Sequence, residues 1–162
     1  NQPAQFDLFG KGWNLALPRY LAPFEPVLRP IYHLIFPQYP SYRGKITSKR
    51  EILKRYKFSI CYENARDIPG YITEKLFDCF FAGCVPVYLG APNITDYIPE
   101  DCFIDKRKFS DYSGLFDHLN KMTDDDYLKY IHAIEEFMKS EKIVPFGAEY
   151  FTDMVLGELD SP

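Results

Sequence analysis

One stretch, from Phe58 to Gly90, does most to limit what this chain can fold into. Phe58-Ser59-Ile60-Cys61-Tyr62 is short, apolar and aromatic, which predicts a buried strand. Glu63 to Gly70 is a polar loop closed by Pro69-Gly70. Thr73 to Ala82 then predicts a helix, with Thr73 as N-cap or first-turn residue and Glu74 near the positive helix end. Leu76, Phe80 and Gly83 fall on one side and Phe77 and Phe81 on the adjoining one, an arc wide enough to predict a largely buried helix. Gly83 is expected as the left-handed cap. Val85-Pro86-Val87-Tyr88-Leu89 is the second strand, closed by Gly90, with Pro86 at a strand start or an edge. Strand, helix, tight turn and strand make a right-handed βαβ unit, and such units build parallel sheets covered by helices.

The flanks fit the same class. Phe6 to Phe9 reads as a short strand ended by Gly10-Lys11-Gly12, and Ser48 to Tyr56 as a helix. Six prolines between Asn14 and Tyr42 exclude a long helix there, although Tyr32 to Phe36 is apolar enough to pack. Beyond Gly90, Phe103-Ile104 suits a short strand, and Tyr112–Lys121, Asp124–Lys139 and Ala148–Leu156 suit helices. In the second of these, Tyr127, Tyr130, Ile131, Ile134, Phe137 and Met138 keep helical spacing. The expected result is an α/β domain: a Rossmann-like parallel sheet with helices on both faces. The reading takes residues 1–162 as one domain, with a Pro-rich insertion at about 14–42 and a helical tail at about 112–158.

Composition excludes several function classes. The net charge of −4 and a pI near 5.4 argue against nucleic acid as a partner. Lys45, Lys49, Arg50, Lys54, Arg55 and Lys57 form a local basic run, read as a solvated helix face or as a surface that steers an anionic ligand or membrane. No apolar run approaches the roughly twenty residues that span a bilayer. Cys61, Cys79, Cys84 and Cys102 lack Cys-x-x-Cys spacing and read as small buried side chains in a reducing compartment. His33, His118 and His132 are scattered, so no zinc site is expected. Asp124-Asp125-Asp126 resembles a metal-binding Asp-x-Asp string, but it follows Thr123 at a helix start, where capping is the better account.

Polar chemistry concentrates between Tyr62 and Lys75. In an open α/β sheet, ligands bind beyond the carboxyl ends of the strands, where this loop lies. Backbone N–H groups at the following helix start favour phosphate, and Lys75 adds a full positive charge there. Glu74, Asn64 and Tyr71 offer partners for sugar hydroxyls. Phosphate and hydroxyl recognition together suit a nucleotide sugar.

The strings Phe58-Ser59-Ile60-Cys61-Tyr62-Glu63-Asn64, Tyr71-Ile72-Thr73-Glu74-Lys75-Leu76 and Ala82-Gly83-Cys84-Val85-Pro86-Val87-Tyr88-Leu89-Gly90 closely resemble the signature of the α1,3/4-fucosyltransferases, glycosyltransferase family ten. The likeness runs from about Phe6 to Phe109, and Asp7-Leu8-Phe9-Gly10-Lys11-Gly12-Trp13 looks like the segment that opens the family's donor domain. The resemblance implies the C-terminal, donor-binding half of a GT-B glycosyltransferase, with the acceptor half upstream. It implies GDP-fucose as donor and a hydroxyl of a glycan acceptor, often containing N-acetylglucosamine, with lipopolysaccharide among the candidates. Lys75 would contact the diphosphate with help from Tyr71, Glu74 the ribose or fucose, and Asn64 the fucose, with Glu63 supporting the loop. Glu74 would also stabilise an oxocarbenium-like transition state in an inverting reaction. No metal and no other cofactor is expected. The general base would come from the acceptor half, as would much of the acceptor site. A basic residue that usually precedes the Asp7 segment has no counterpart in this chain.

Two other readings stay open. One is a GT-B enzyme with another sugar-nucleotide donor, and the other is a non-catalytic module that binds a sugar nucleotide. A dinucleotide enzyme is disfavoured because Gly10-Lys11-Gly12 lacks the third glycine, and no P-loop string occurs. The resemblance implies C-terminal disulfide motifs and a Golgi-lumenal place for eukaryotic members. With no cysteine beyond Cys102, this chain looks more like a cytoplasmic bacterial member, and an exposed Lys45–Lys57 face would help it dock at the inner membrane.

Overall fold

The computed structural model describes residues 6–10, 23–24, 27–28 and 41–159. Residues 11–13 and most of the Pro-rich stretch, including residues 32–36, lie outside the described residues. Two compact units divide the chain, Asn1–Ser48 and Lys49–Pro162.

In the first unit, β1 (Leu8–Phe9) pairs in parallel with β2 (Tyr42–Gly44). Arg43 donates to Asp7 at 2.6 Å, and the Tyr42 hydroxyl donates to the Gly10 carbonyl at 2.9 Å. The strand expected from Phe6 begins at Leu8.

The second unit is built on a three-stranded parallel sheet in the order β3 (Phe58–Tyr62), β4 (Val85–Leu89), β5 (Ile104–Asp105). Phe58 to Tyr62 face Val85 to Leu89 in unbroken register, and Val87-Tyr88 faces Ile104-Asp105. Strand β4 is central, yet it contains Pro86. The Val85 N–H donates toward β3, to Lys57 O at 2.9 Å, so alternation turns the proline's missing donor toward β5. Strand β5 begins only opposite Val87, and no ladder bond is lost.

Helix α1 (Lys49–Leu53) is shorter than expected, because Arg55 and Tyr56 bond back only three residues and tighten its end. Helix α2 (Glu74–Ala82) connects β3 to β4. Thr73 caps its start, and Gly83, at φ 70°, ends it with the Gly83 and Cys84 N–H groups bonding Phe80 O and Cys79 O. Leu76, Cys79 and Phe80 are buried, but Phe81 is 58% exposed and Phe77 only half-buried, so the helix is not covered around the predicted arc. The reason is angular: Phe81 stands about 100° from Phe80, beyond the face that packs.

Helices α3 (Tyr112–Lys121) and α4 (Asp124–Lys139) have the predicted bounds, and α5 (Ala148–Leu159) runs three residues past the expected end. Asp111 caps α3 and Thr123 caps α4, as the capping account of the Asp124–Asp126 run requires. Ile134 and Phe137 of α4 are buried, and Phe137 meets Phe80 edge-on with centroids 6.0 Å apart. Burial of a Phe of this kind contributes about 2–3 kcal/mol. Tyr88, Phe103, Leu76, Ile94 and Ile98 complete the centre. All four cysteines are free and buried, and burial first among the causes pushes the Cys102 thiol up to about 12. The cations of the basic run are exposed, and among the described residues Lys49 pairs with Asp78, Lys54 with Glu51 and Lys57 with Asp124. Among the described residues, no helix is long and apolar enough to cross a membrane.

Candidate functional site

The site grows from the carboxyl end of β3. The N–H of Glu63, the next residue, donates to Leu89 O at 2.8 Å, which carries the β3–β4 pairing one step further. That step fixes the backbone of Glu63, and its carboxylate closes on the start of α2. Oε1 accepts the Thr73 N–H at 2.8 Å. Oε2 accepts the Thr73 hydroxyl at 2.7 Å and the Lys75 ammonium at 3.0 Å. The Lys75 ammonium also reaches Thr73 Oγ1 at 3.4 Å. The Glu63 side chain is fully buried, whereas that of Lys75 is 25% exposed. Gly90 makes room for this clasp, since a Cβ there would lie 2.6 Å from Glu63 Cγ and run into the Tyr88 hydroxyl.

The electrostatics follow from these partners. Burial opposes the charge on Glu63, but hydrogen bonds from the Thr73 hydroxyl and N–H and from Lys75 outweigh it and hold the carboxyl below its ordinary range. The hydrogen bond to Glu63 raises Lys75 in turn, against a smaller opposing effect of burial. An ammonium has three donors, and two are directed to Glu63 and Thr73. The third, on a partly exposed group at a helix N-terminus, can meet an anion without breaking the clasp.

The predicted residues separate into two groups. Glu63 and Lys75 are in direct contact through the clasp. Tyr71 is half-buried in the turn just before Thr73, its N–H donating to Ile68 O at 3.2 Å and its carbonyl accepting from the Tyr88 hydroxyl at 3.5 Å. Asn64 and Glu74 are exposed, each adjoining a clasp residue in sequence. The structure adds residues that the sequence reading passed over. Thr73, expected only as a cap, is the middle of the clasp. Arg107 follows β5, gripped by Asp105 through Nε at 2.9 and 3.1 Å and Nη2 at 2.9 Å. Its Nη1 donates to Pro92 O at 3.0 Å and Ala91 O at 3.4 Å, bracing the loop that leaves β4. Burial opposes the Asp105 charge, but Arg107 outweighs it and keeps that carboxyl low. The one available signal was Asp-x-Arg at the end of a short strand.

No group of three His, Cys, Asp or Glu among the described residues is placed to hold a metal. Asp124 and Asp126 are instead engaged by Lys57, Thr123 and Lys129.

Comparison with known proteins decides the lineage of this site. Residues 33–146 match the family model described as glycosyltransferase family 10 (fucosyltransferase), C-terminal part. The chain belongs to glycosyltransferase family 10. Among similar proteins, the α-(1,3)-fucosyltransferase FucT of Helicobacter pylori is 31% identical over 88 residues, 54% of this chain and 16% of that protein. GDP-fucose protein O-fucosyltransferase 3 of Xenopus laevis is 41% identical over 85 residues, 52% of this chain and 18% of that protein. The chain therefore matches under a fifth of the length of either relative. A solved α1,3-fucosyltransferase crystallised with GDP-fucose superposes with a TM-score of 0.52 at 22% identity, covering 81% of this chain and 40% of that one. The fold is that of a GT-B half, a Rossmann-like parallel sheet flanked by helices. The family-10 match contains the whole of Glu63, Thr73 and Lys75 and the strands that hold them.

Proposed function

We propose that this chain is the donor-binding part of an inverting fucosyltransferase, and that its donor is GDP-fucose. One observation carries the reading: a partly exposed Lys75, fixed by a buried Glu63, stands at a helix start beyond the carboxyl end of a parallel strand pair. Such an arrangement favours a diphosphate, and the solved relative named for its GDP-fucose complex has the same fold.

In the proposed reaction, an acceptor hydroxyl oxygen attacks the anomeric carbon of fucose from the face opposite the diphosphate. The bond from that carbon to the β-phosphate oxygen breaks as the new carbon–oxygen bond forms. The electron pair leaves on GDP, whose growing charge Lys75 and the α2 N-terminus offset. The acceptor proton goes to a base outside this chain. The exposed Glu74 carboxylate is the candidate to stabilise positive charge on the sugar, with Asn64 and Tyr71 orienting it. No metal is needed for these steps.

The acceptor is proposed to be a hydroxyl of an N-acetylglucosamine-containing glycan. The likeness to a protein O-fucosyltransferase favours a second reading, a protein hydroxyl as acceptor. Calorimetric titration of the chain with GDP, GDP-fucose, UDP and UDP-glucose tests the donor assignment. Saturable binding of the two guanine nucleotides over the uridine pair supports it, and equal binding or none sinks it. Assay of the enzyme containing this chain with glycan and peptide acceptors then separates the two acceptor readings.

A further inference from the structure

The turn that carries Tyr71 is anchored from outside by Asn93. This residue lies just past β4, ahead of the short helical turn Ile94–Asp96. Its Oδ1 accepts the Gly70 N–H at 2.8 Å, and its Nδ2 donates to Asp96 Oδ2 at 3.0 Å. The two contacts fix the amide in one sense, since only its donor end suits a carboxylate and only its acceptor end suits an N–H.

The anchor point is itself rigid. Arg107, locked by Asp105, holds the carbonyls of Ala91 and Pro92, the two residues before Asn93. The Ala91 N–H donates to the Tyr88 hydroxyl at 3.0 Å, and that hydroxyl donates to Tyr71 O. In the turn it holds, residues 66–70 are all exposed and Asp67 has φ 64°. The other backbone bonds there are Asp67 N–H to Gly90 O at 3.4 Å, Tyr71 N–H to Ile68 O at 3.2 Å and Ile72 N–H to Gly70 O at 2.9 Å. Among these, only the Asn93 bond ties the turn to the loop ahead of Ile94. A braced loop after β4 thus grips an exposed loop after β3, one residue before Tyr71 and three before Thr73.

We propose that Asn93 is a positioning residue for the donor site: by taking the Gly70 N–H it fixes the backbone from which Tyr71 and Thr73 project. The inference rests on the reading of that turn as a donor site. A site held in its bound geometry before the ligand arrives spares binding the cost of ordering the loop. Loss of the anchor should therefore weaken the ligand without unfolding the sheet.

The test uses the full chain, GDP as the probe and amide hydrogen exchange as a second readout. Asn93→Ala should weaken GDP about tenfold. It should also speed exchange in peptides covering residues 66–72, with β3 and β4 peptides unchanged. The exchanged pair Asn93→Asp with Asp96→Asn keeps an acceptor toward Gly70 and restores an amide-to-carboxylate contact, so it should recover both affinity and protection. An Asn93→Ala variant that binds GDP as tightly as the parent overturns the proposal. So does an exchanged pair that is folded and protected at 66–72 yet still binds weakly. If Asn93→Ala loses protection throughout the sheet, the exchanged pair alone decides, with wild-type affinity supporting the proposal and weakened affinity overturning it. If the parent chain does not bind GDP at all, the donor reading fails. Unchanged exchange at 66–72 in Asn93→Ala then overturns the anchor as well, and faster exchange there upholds it.

Discussion

At the residue scale the site depends on a buried carboxylate that is fully engaged. Glu63 accepts three hydrogen bonds, two from Thr73 and one from Lys75, with its side chain wholly out of water. Glu63→Gln replaces one acceptor oxygen with a donor facing other donors. It should cost about 3 kcal/mol in denaturant unfolding at neutral pH, in line with breaking a buried pair. The pH dependence has a definite sign. A carboxyl whose folded pKa lies below its unfolded value stabilises fully above the unfolded value, about 4.3, and that contribution is lost as pH falls through the folded value. The stability gap between the parent and Glu63→Gln should hold from pH 7 to about 5 and narrow below about 4. A gap unchanged at pH 3 would contradict a charged Glu63. Gly90→Ala tests the same cluster by crowding, and should cost about 1–3 kcal/mol because Glu63 and Tyr88 cannot both yield.

At the scale of elements, the β3–α2–β4 unit shows which features sequence can carry. Strand type, N-cap and left-handed glycine are local properties, and Phe58–Tyr62, Thr73 and Gly83 fall where local chemistry places them. Phe81 is exposed against expectation because apolar character says only that a side chain can be buried, and whether a neighbour covers it depends on tertiary placement. The same limit hid Asn93 and Arg107: beside their near partners Asp96 and Asp105, the bonds that brace the loops reach 23 and 15 or 16 residues away. Glu63 and Lys75 were legible as residues of interest, but their joining through Thr73 needed the register of β3 on β4. The packing of α2 yields a direct contrast: Phe80→Ala should cost about 3–5 kcal/mol, while Phe81→Ser should stay within about 0.5 kcal/mol of the parent. Paired thermal melts would decide it, and equal losses would mean that Phe81 is covered after all.

At the scale of the molecule, the net charge is −4 while the proposed ligand is an anion. The chain as a whole does not attract GDP, so attraction must come from Lys75 and the helix start acting at short range. The affinity for GDP should therefore fall only modestly between low and physiological salt, unlike that of a broad basic surface. A steep salt dependence, checked by titration at several ionic strengths, would point to the exposed cations around α1 instead. The division of labour proposed for the enzyme has the same root: this chain holds donor chemistry, and the base and most acceptor contacts belong elsewhere. The most direct test of the central claim is the affinity for GDP of the parent and of Lys75→Ala, each with and without EDTA, with folding of both checked by melting. The account predicts saturable binding that EDTA leaves unchanged and that a folded Lys75→Ala variant loses by tenfold or more, about 1.4 kcal/mol at the least. Equal affinity in the two proteins, or binding that EDTA abolishes, would contradict it.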